Sequence, residues 1–121
     1  MSNNLEKSFM TDEQLKKVEA LAKYLTEDIE NITQSKNDEC EYYHGKDTYL
    51  VVNDNQAEEL HLEAIENYID ELITPQIPIN LQSYFNYTLF IKDELINSSR
   101  AQYLAVDEEE GYINGYYIYK Q

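Results

Sequence analysis

Acidic side chains without basic neighbours are the residues of this chain whose type and spacing best suit a chemical role. Between Asp47 and Ile91 the sequence contains no Lys and no Arg. The same stretch carries eight acids, which are Asp47, Asp54, Glu58, Glu59, Glu63, Glu66, Asp70 and Glu71. Like charges three or four residues apart destabilise a helix by about 0.2–0.5 kcal/mol per pair, so this imbalance is costly. It indicates a surface that binds the Arg and Lys side chains of a partner.

Four of these acids follow helical spacing. Glu59, Glu63, Glu66 and Asp70 stand at i, i+4, i+7 and i+11, on a helix predicted from Asn53 to about Ile73. At a rise of 1.5 Å per residue, successive carboxylates lie about 4.5–6 Å apart along the axis. Phosphates rise about 3.4 Å per step along one nucleic-acid strand, which is a similar scale. An ordinary solvated helix face is the alternative interpretation.

The composition of the whole chain agrees with a basic partner. The 121 residues include 24 Asp and Glu against 9 Lys and Arg, for a formal net charge of -15. Such a charge repels nucleic acid and anionic lipid. A hydrophobic content of 42% argues against disorder. Because no secretory or membrane-spanning segment is evident, we expect a soluble, cytoplasmic protein.

Two further groups are candidates for the same partner-binding surface. An acidic loop is predicted before the last hairpin, formed by Asp107, Glu108, Glu109 and Glu110. A solvated loop is its simpler interpretation, unless it lies beside the helical acids. Tyr is unusually frequent in this chain. If Tyr112 and Tyr116 are exposed among acids, they could form a binding hot spot, because Tyr is enriched in such sites. Packing within the sheet is the alternative role for these tyrosines.

The residues that could act in catalysis or metal binding give weaker signals. Cys40 and His44 could form a nucleophile and base, but no third orienting group is evident. His61 falls on the apolar face of its helix and is expected to be packed. The Asn53-Asp54-Asn55 stretch lacks the glycine of a calcium loop. We therefore expect no catalytic residue, no metal site and no cofactor.

Periodicity predicts an α+β domain over residues 11–121, after a loose leader over residues 1–10. A helix begins at Thr11, which forms a capping-box pattern with Gln14, and runs to about Thr33. The predicted order is α-β-β-α-α-α-β-β, with antiparallel hairpins and with helices on one side. The other elements are strands 39–44 and 48–52, helices 53–73, 81–85 and 87–96, a strand 102–106, and a hairpin over 112–119. The expected core includes Leu21, Leu25, Ile65, Ile69, Leu72 and Phe90.

Part of the sequence resembles the closing segment of the ArdA-type antirestriction proteins. The residues that carry this resemblance are Ile77-Pro78, Leu81, Tyr84-Phe85-Asn86-Tyr87, Phe90, Asp93 and Leu95. The stretches 48–54 and 117–120 are similar to parts of small phage proteins. The resemblance, which touches residues 48–121 with gaps, implies an acidic DNA mimic without catalytic residues. The resemblance covers no counterpart of the domains that precede this segment in that family, and we expect a single domain.

Charge and resemblance together predict a non-enzymatic inhibitor from a phage or mobile element. We expect it to block the DNA site of a basic nucleic-acid-binding protein, such as a restriction–modification enzyme or a CRISPR effector, in the host cytoplasm. It would act as a monomer or homodimer. The alternative is an acidic interaction module of a phage or mobile element, which binds a protein through Tyr and Leu rather than through charge.

Overall fold

A five-stranded antiparallel sheet with helices forms the architecture, so the predicted α+β class is confirmed. The computed structural model describes residues 10–36 and 38–121. Most of the predicted leader therefore lies outside the described residues. The α-helices are α1 (Asp12–Leu25), α2 (Asp54–Tyr68), α3 (Tyr87–Asn97) and α4 (Arg100–Leu104). The strands are β1 (Ile32–Gln34), β2 (Glu41–His44), β3 (Asp47–Val52), β4 (Gly111–Ile113) and β5 (Tyr116–Lys120).

Strand β3 lies at the centre of the sheet, whose order is β1-β2-β3-β5-β4 with every neighbour antiparallel. Two short turns fix the hairpin registers, as the sequence predicted. Gly45 has a φ of +60° between β2 and β3, and Asn114 and Gly115 have φ values of 53° and 89° between β4 and β5. Positive φ at both central residues matches the twist of a hairpin, which is why Asn-Gly is favoured there.

Helices cover both faces of the sheet, so the expectation of helices on one side is wrong. The residues Tyr49, Leu50, Val51 and Val52 of β3 are all buried. Because side chains alternate along a strand, Tyr49 and Val51 pack with α1, while Leu50 and Val52 pack with α2 and α4. Continuous apolar runs are typical of strands buried on both faces. The continuous apolar run of β3 was therefore the signal in the sequence that helices cover both faces of the sheet.

Helix α1 ends at Leu25, well before the predicted Thr33. Its capping box of Thr11 and Gln14 is confirmed, but Thr26 adopts a left-handed conformation with a φ of 57° and ends the helix. A single 3-10 turn follows over Ile29–Asn31, and the chain then enters β1, which was not predicted. Acids at 27, 28 and 30 would have opposed the helix dipole at a C-terminus near Thr33. They favour an earlier end.

The segment that was predicted to be a strand over 102–106 forms helix α4 instead. Ser99 accepts a hydrogen bond from the backbone of Gln102, and the Gln102 side chain accepts one from the backbone of Ser99. This reciprocal capping box starts a helix that buries Ala101 against β3 and β5. The Ser-x-x-Gln pattern was present in the sequence, and the apolar residues after it suggested a strand only because the helix is short.

The core residues predicted on the two long helices are partly confirmed. Leu21, Ile65 and Ile69 are fully buried, whereas Leu25 and Phe90 are only partly so. Leu72 is 52% exposed, which contradicts its expected place in the core. After Tyr68 the helix continues as a π-helical turn, Ile69–Ile73, whose wider winding changes which side chains face the sheet.

The chain beyond Ile73 adds two 3-10 turns, Thr74–Gln76 and Ile79–Tyr84, before α3. Pro75 and Pro78 break the helix there, because proline lacks the backbone N–H that a helix needs. Within residues 10–36 and 38–121, no helix combines the length and apolar character that crossing a membrane requires.

Candidate partner-binding surface

Helix α2, together with the π-helical turn Ile69–Ile73 that continues it, presents the acidic stripe, which consists of Glu59, Glu63, Glu66 and Asp70, away from the sheet. The helix starts at a capping box in which Asn53 accepts from the backbone of Gln56 and Gln56 accepts from the backbone of Asn53. Its buried face carries Ala57, His61 and Ile65. The stripe lies on the opposite side, where Glu66 is partly exposed and the other three acids are exposed. The side chains can therefore meet a partner.

Basic residues from outside the lysine-free stretch neutralise only some of its acids. Arg100 lies 3.1 Å from Asp54 and 3.6 Å from Glu58, and Lys120 lies 3.9 Å from Asp47. Among the described residues, none of the four acids of the stripe takes part in an ion pair. The stripe thus belongs to the acids that the fold leaves without a basic partner. Sequence alone did not reveal this division, because Arg100 is 46 residues from Asp54.

The stripe continues toward the start of α3. The pKa of Tyr87 is raised by desolvation and by the negative charges of Asp70 and Glu66. Because electrostatic effects of this kind act over short distances, the Tyr87 hydroxyl marks where the two helices meet.

The acidic loop, Asp107–Glu110, lies near the start of β3 and the end of β5, which are adjacent in the sheet. The Tyr119 hydroxyl donates a hydrogen bond to Glu110, and Asp107 accepts one of 3.0 Å from the backbone of Glu109. Asp107 also contributes to the raised pKa of Tyr49, although burial is the larger cause. In the described part of the chain, no hydrogen bond or ion pair joins this loop to the stripe. Its role in binding stays a prediction.

Tyr112 and Tyr116, which were both predicted to bind the partner, lie on opposite faces of the sheet. Tyr112 pairs in register with Tyr117, its ring lies 4.8 Å from that ring, and it is 59% exposed. Tyr116 packs against the core under α1, where burial and Glu13 raise its pKa. Tyr112 is the more exposed of the two, and the ring of its neighbour Tyr117 has its centroid 5.2 Å from the guanidinium of Arg100.

The structure also exposes large apolar side chains that were not predicted to bind. Between residues 74 and 97 no described side chain is fully buried. Helix α3 carries apolar residues around most of its circumference, and its main packing partner is α2. Such a helix is normally covered on all sides. We name this group the apolar surface; its residues are Leu72, Ile79, Leu81, Tyr84, Leu89, Leu95 and Ile96.

The residues considered for catalysis take separate partners. Cys40 accepts a hydrogen bond of 3.4 Å from Lys17, and burial raises the pKa of its thiol. His44 lies 3.7 Å from Glu27 instead. His61 is buried, as predicted, with its Nε2 3.0 Å from the hydroxyl of Ser98. Within the described residues, no group of three or more His, Cys, Asp or Glu could hold a metal ion.

Comparison with protein-family models, with curated proteins and with solved structures finds no match to this chain. A functional proposal must therefore be built from the surface itself and from the short motifs of residues 77–95.

Proposed function

We propose that this protein is a non-enzymatic inhibitor that occupies the nucleic-acid site of a basic DNA-binding protein. The observation that carries the proposal is the selective pairing of acids on α2. Asp54 and Glu58 have a basic partner within the fold, whereas Glu59, Glu63, Glu66 and Asp70 have none among the described residues. Four unpaired carboxylates on one helix face repel one another, and a cationic partner relieves that repulsion.

The proposed mechanism is electrostatic competition. The carboxylates of the acidic stripe pair with Arg and Lys side chains that otherwise hold DNA phosphates, since both acceptors suit the same charged donors. The net charge of -15 adds long-range attraction, which speeds the encounter with a positively charged cleft. No bond is made or broken, so the protein needs no catalytic residue.

The proposed target is a host defence nuclease, either a restriction–modification enzyme or a CRISPR effector. This choice follows from the resemblance of residues 77–95 to antirestriction proteins, and it implies a phage or mobile element as the source. The first part of that segment, Ile77 to Tyr84, follows the helix that carries the acidic stripe. The protein would act in the host cytoplasm, where such nucleases meet foreign DNA.

Affinity capture tests the proposal. Tagged protein would be used to capture partners from host lysate, and the captured proteins would be challenged with duplex DNA. We expect a DNA-binding nuclease that is retained at low salt and released by DNA or by high salt. A variant with Glu59→Gln, Glu63→Gln, Glu66→Gln and Asp70→Asn should retain much less of it. Capture that is unchanged by this variant and by DNA would contradict the proposal.

A second candidate function rests on the apolar surface. Ile79, Tyr84 and Ile96 are 88%, 82% and 73% exposed, and exposed apolar patches mark protein interaction sites. The protein would then be an acidic interaction module of a phage or mobile element that binds a partner, or a second copy of itself, through Leu and Tyr.

Substitution of these three residues separates the two candidates. Ile79→Ser, Tyr84→Ser and Ile96→Ser should leave the free energy of unfolding nearly unchanged, because surface substitutions usually have effects within about 0.5 kcal/mol. Under the first candidate the triple variant associates with the target at an unchanged rate. Under the second it loses the target, while the neutralised acidic stripe has little effect.

A further inference from the structure

An open cavity lies where α2, α3 and the start of α4 meet. Its volume is about 470 Å³, within the range of roughly 300–1,000 Å³ that is usual for ligand pockets. The residues around it are Glu58, Glu59, His61, Leu62, Leu95 and Arg100. The cavity thus joins aliphatic side chains to one member of the acidic stripe, Glu59. No residue in this cavity was singled out as a partner site from sequence except Glu59.

The charges at the cavity leave one carboxylate free. Arg100 lies against Asp54 and Glu58, and its guanidinium also lies over the ring of Tyr117. Burial and the charge of Arg100 lower the pKa of His61, so this imidazole is neutral at pH 7. Glu59 has no ion pair among the described residues. Asp54 and Glu58 share the single guanidinium of Arg100, and Glu59 adds to the lining a carboxylate that is unpaired within the described residues, so the cavity favours a further cation.

We infer that this cavity receives an arginine side chain of the partner protein. The inference rests on the proposed function, because the proposed partner supplies arginines that normally contact DNA. The methylene stem of the arginine would lie on Leu62 and Leu95, and its guanidinium would pair with Glu59. Arginine suits the site better than lysine, because its planar guanidinium binds carboxylates in a bidentate manner and is more weakly hydrated.

The arrangement adds specificity to the charge of the stripe. A carboxylate on an open helix face attracts any cation, and exposed ion pairs are worth only about 0–1 kcal/mol. A carboxylate beside two partly exposed leucines discriminates between cationic side chains, because the bound side chain must also have an aliphatic stem long enough to lie on the leucines. The cavity would thus fix the register of the stripe on its target, as a single anchor side chain does in other interfaces.

The inference is tested on the free protein by two-dimensional NMR titration of its backbone amides. The probe is N-acetyl-arginine N-methylamide. The matched probes are the norleucine derivative, which has an aliphatic stem without charge, and the glutamate derivative, which reverses the charge. We expect saturable shifts for residues 58–62 and 95–100 with the arginine probe, and much weaker binding of the other two.

Two variants of the cavity and one control variant sharpen the titration. Glu59→Gln should weaken arginine binding several-fold, and Glu109→Gln, which removes one charge from the acidic loop, should leave it unchanged. Leu62→Ala with Leu95→Ala should weaken it about fourfold, which corresponds to the loss of roughly one methylene group's burial. Their melting temperatures would verify that both variants fold.

Several outcomes would overturn the assignment. Equal binding of norleucine would mean a purely apolar anchor site, and preferential binding of glutamate would mean an anion site at Arg100. Shifts of equal size at residues 107–110 would mean only general counter-ion attraction. The titration needs no target protein, so it fails or succeeds independently of competition with DNA. Arginine bound at the cavity without any DNA-competing target would refute the proposed function alone.

Discussion

The ammonium of Lys17 on α1 donates a 2.9 Å hydrogen bond to the side-chain oxygen of Gln56 on α2. The same oxygen accepts the backbone N–H of Asn53 at 3.0 Å, so one acceptor serves both the lysine and the helix cap. Lys17 is only 2% exposed. Because α1 and α2 pack on opposite faces of the sheet, this contact ties the two layers together and holds the first turn of the helix that carries the acidic stripe.

Loss of Gln56 should therefore cost more than loss of an ordinary cap. We expect Gln56→Ala to lower the free energy of unfolding by about 2–3 kcal/mol, because the buried ammonium keeps only the longer contacts with Cys40 and Glu13 and the helix loses its cap. Gln14→Ala, in the matching capping box of α1, should cost only about 1 kcal/mol. Adding Lys17→Met to Gln56→Ala should recover part of the loss, as measured by urea unfolding. Additive effects in this double-mutant cycle would contradict a coupled pair.

The two kinds of acid on α2 should respond to neutralisation with opposite signs. Glu59→Gln with Glu63→Gln removes an unpaired i,i+4 repulsion and should raise the free energy of unfolding by a few tenths of a kcal/mol. Asp54→Asn with Glu58→Gln removes the same number of charges at the same spacing. It should lower the free energy by about 1 kcal/mol, because Arg100 loses both partners. Equal shifts in melting temperature would refute this division.

The buried His61 should make stability fall in mild acid. Burial and the charge of Arg100 lower the pKa of His61 below the ordinary 6.5, so the imidazole binds a proton more weakly in the folded chain than in the unfolded chain. The contribution of His61 to the free energy of unfolding is therefore fully present above pH 6.5 and is lost as the pH falls toward the pKa of the folded state. The total loss is about 1.4 kcal/mol for each pH unit by which folding lowers the pKa.

Substitution of each histidine isolates this effect. His61→Gln keeps a donor for Ser98 and should flatten the free energy of unfolding between pH 7.5 and about 5.5. His44→Gln leaves the buried imidazole in place and should preserve the decline attributed to His61. A His61→Gln variant that loses stability in acid as steeply as the unchanged protein would show that other groups cause the decline.

The two tyrosines that the sequence predicts to bind a partner should differ in their contribution to folding. Tyr116→Ala removes a ring that packs under α1 and should lower the free energy of unfolding by about 2 kcal/mol or more. Tyr112→Ala removes an exposed ring and should cost less than about 1 kcal/mol. Of the two, only Tyr112→Ala gives a clean test of partner binding, where it should change the dissociation rate more than the association rate. Similar unfolding midpoints for both variants would be inconsistent with their positions.

Local signals in the sequence were enough to predict much of this fold. The capping boxes at Thr11 and Asn53, the Asn114-Gly115 turn and the helical spacing of α2 each depend on residues close in sequence. The exposure of the stripe followed from that spacing. The short α4 was missed although Ser99 and Gln102 signalled its start, because apolar residues in a five-residue element fit a strand equally well.

The features that sequence could not supply depend on contacts between distant segments. Arg100 decides which acids of α2 are neutralised, and no local pattern reveals its position. The exposure of Ile79 and Ile96 depends on which elements pack on the sheet, and residues of α2 and α4 rather than of α3 pack with β3 and β5. A functional surface made of unpaired acids and exposed apolar side chains can be identified only when the ion pairs and packing contacts between distant segments are known.

The association rate of the protein with its captured target, followed at about 0.1 M and about 1 M salt with and without duplex DNA, is the most direct test of charge mimicry. The Debye length, over which salt screens a charge, shortens from about 10 Å to about 3 Å over that range. We expect the rate to fall at least tenfold at high salt, DNA to compete, and neutralisation of the acidic stripe to reproduce the effect of salt. A target that binds equally fast at both salt concentrations, and binds together with its DNA, would contradict the mechanism.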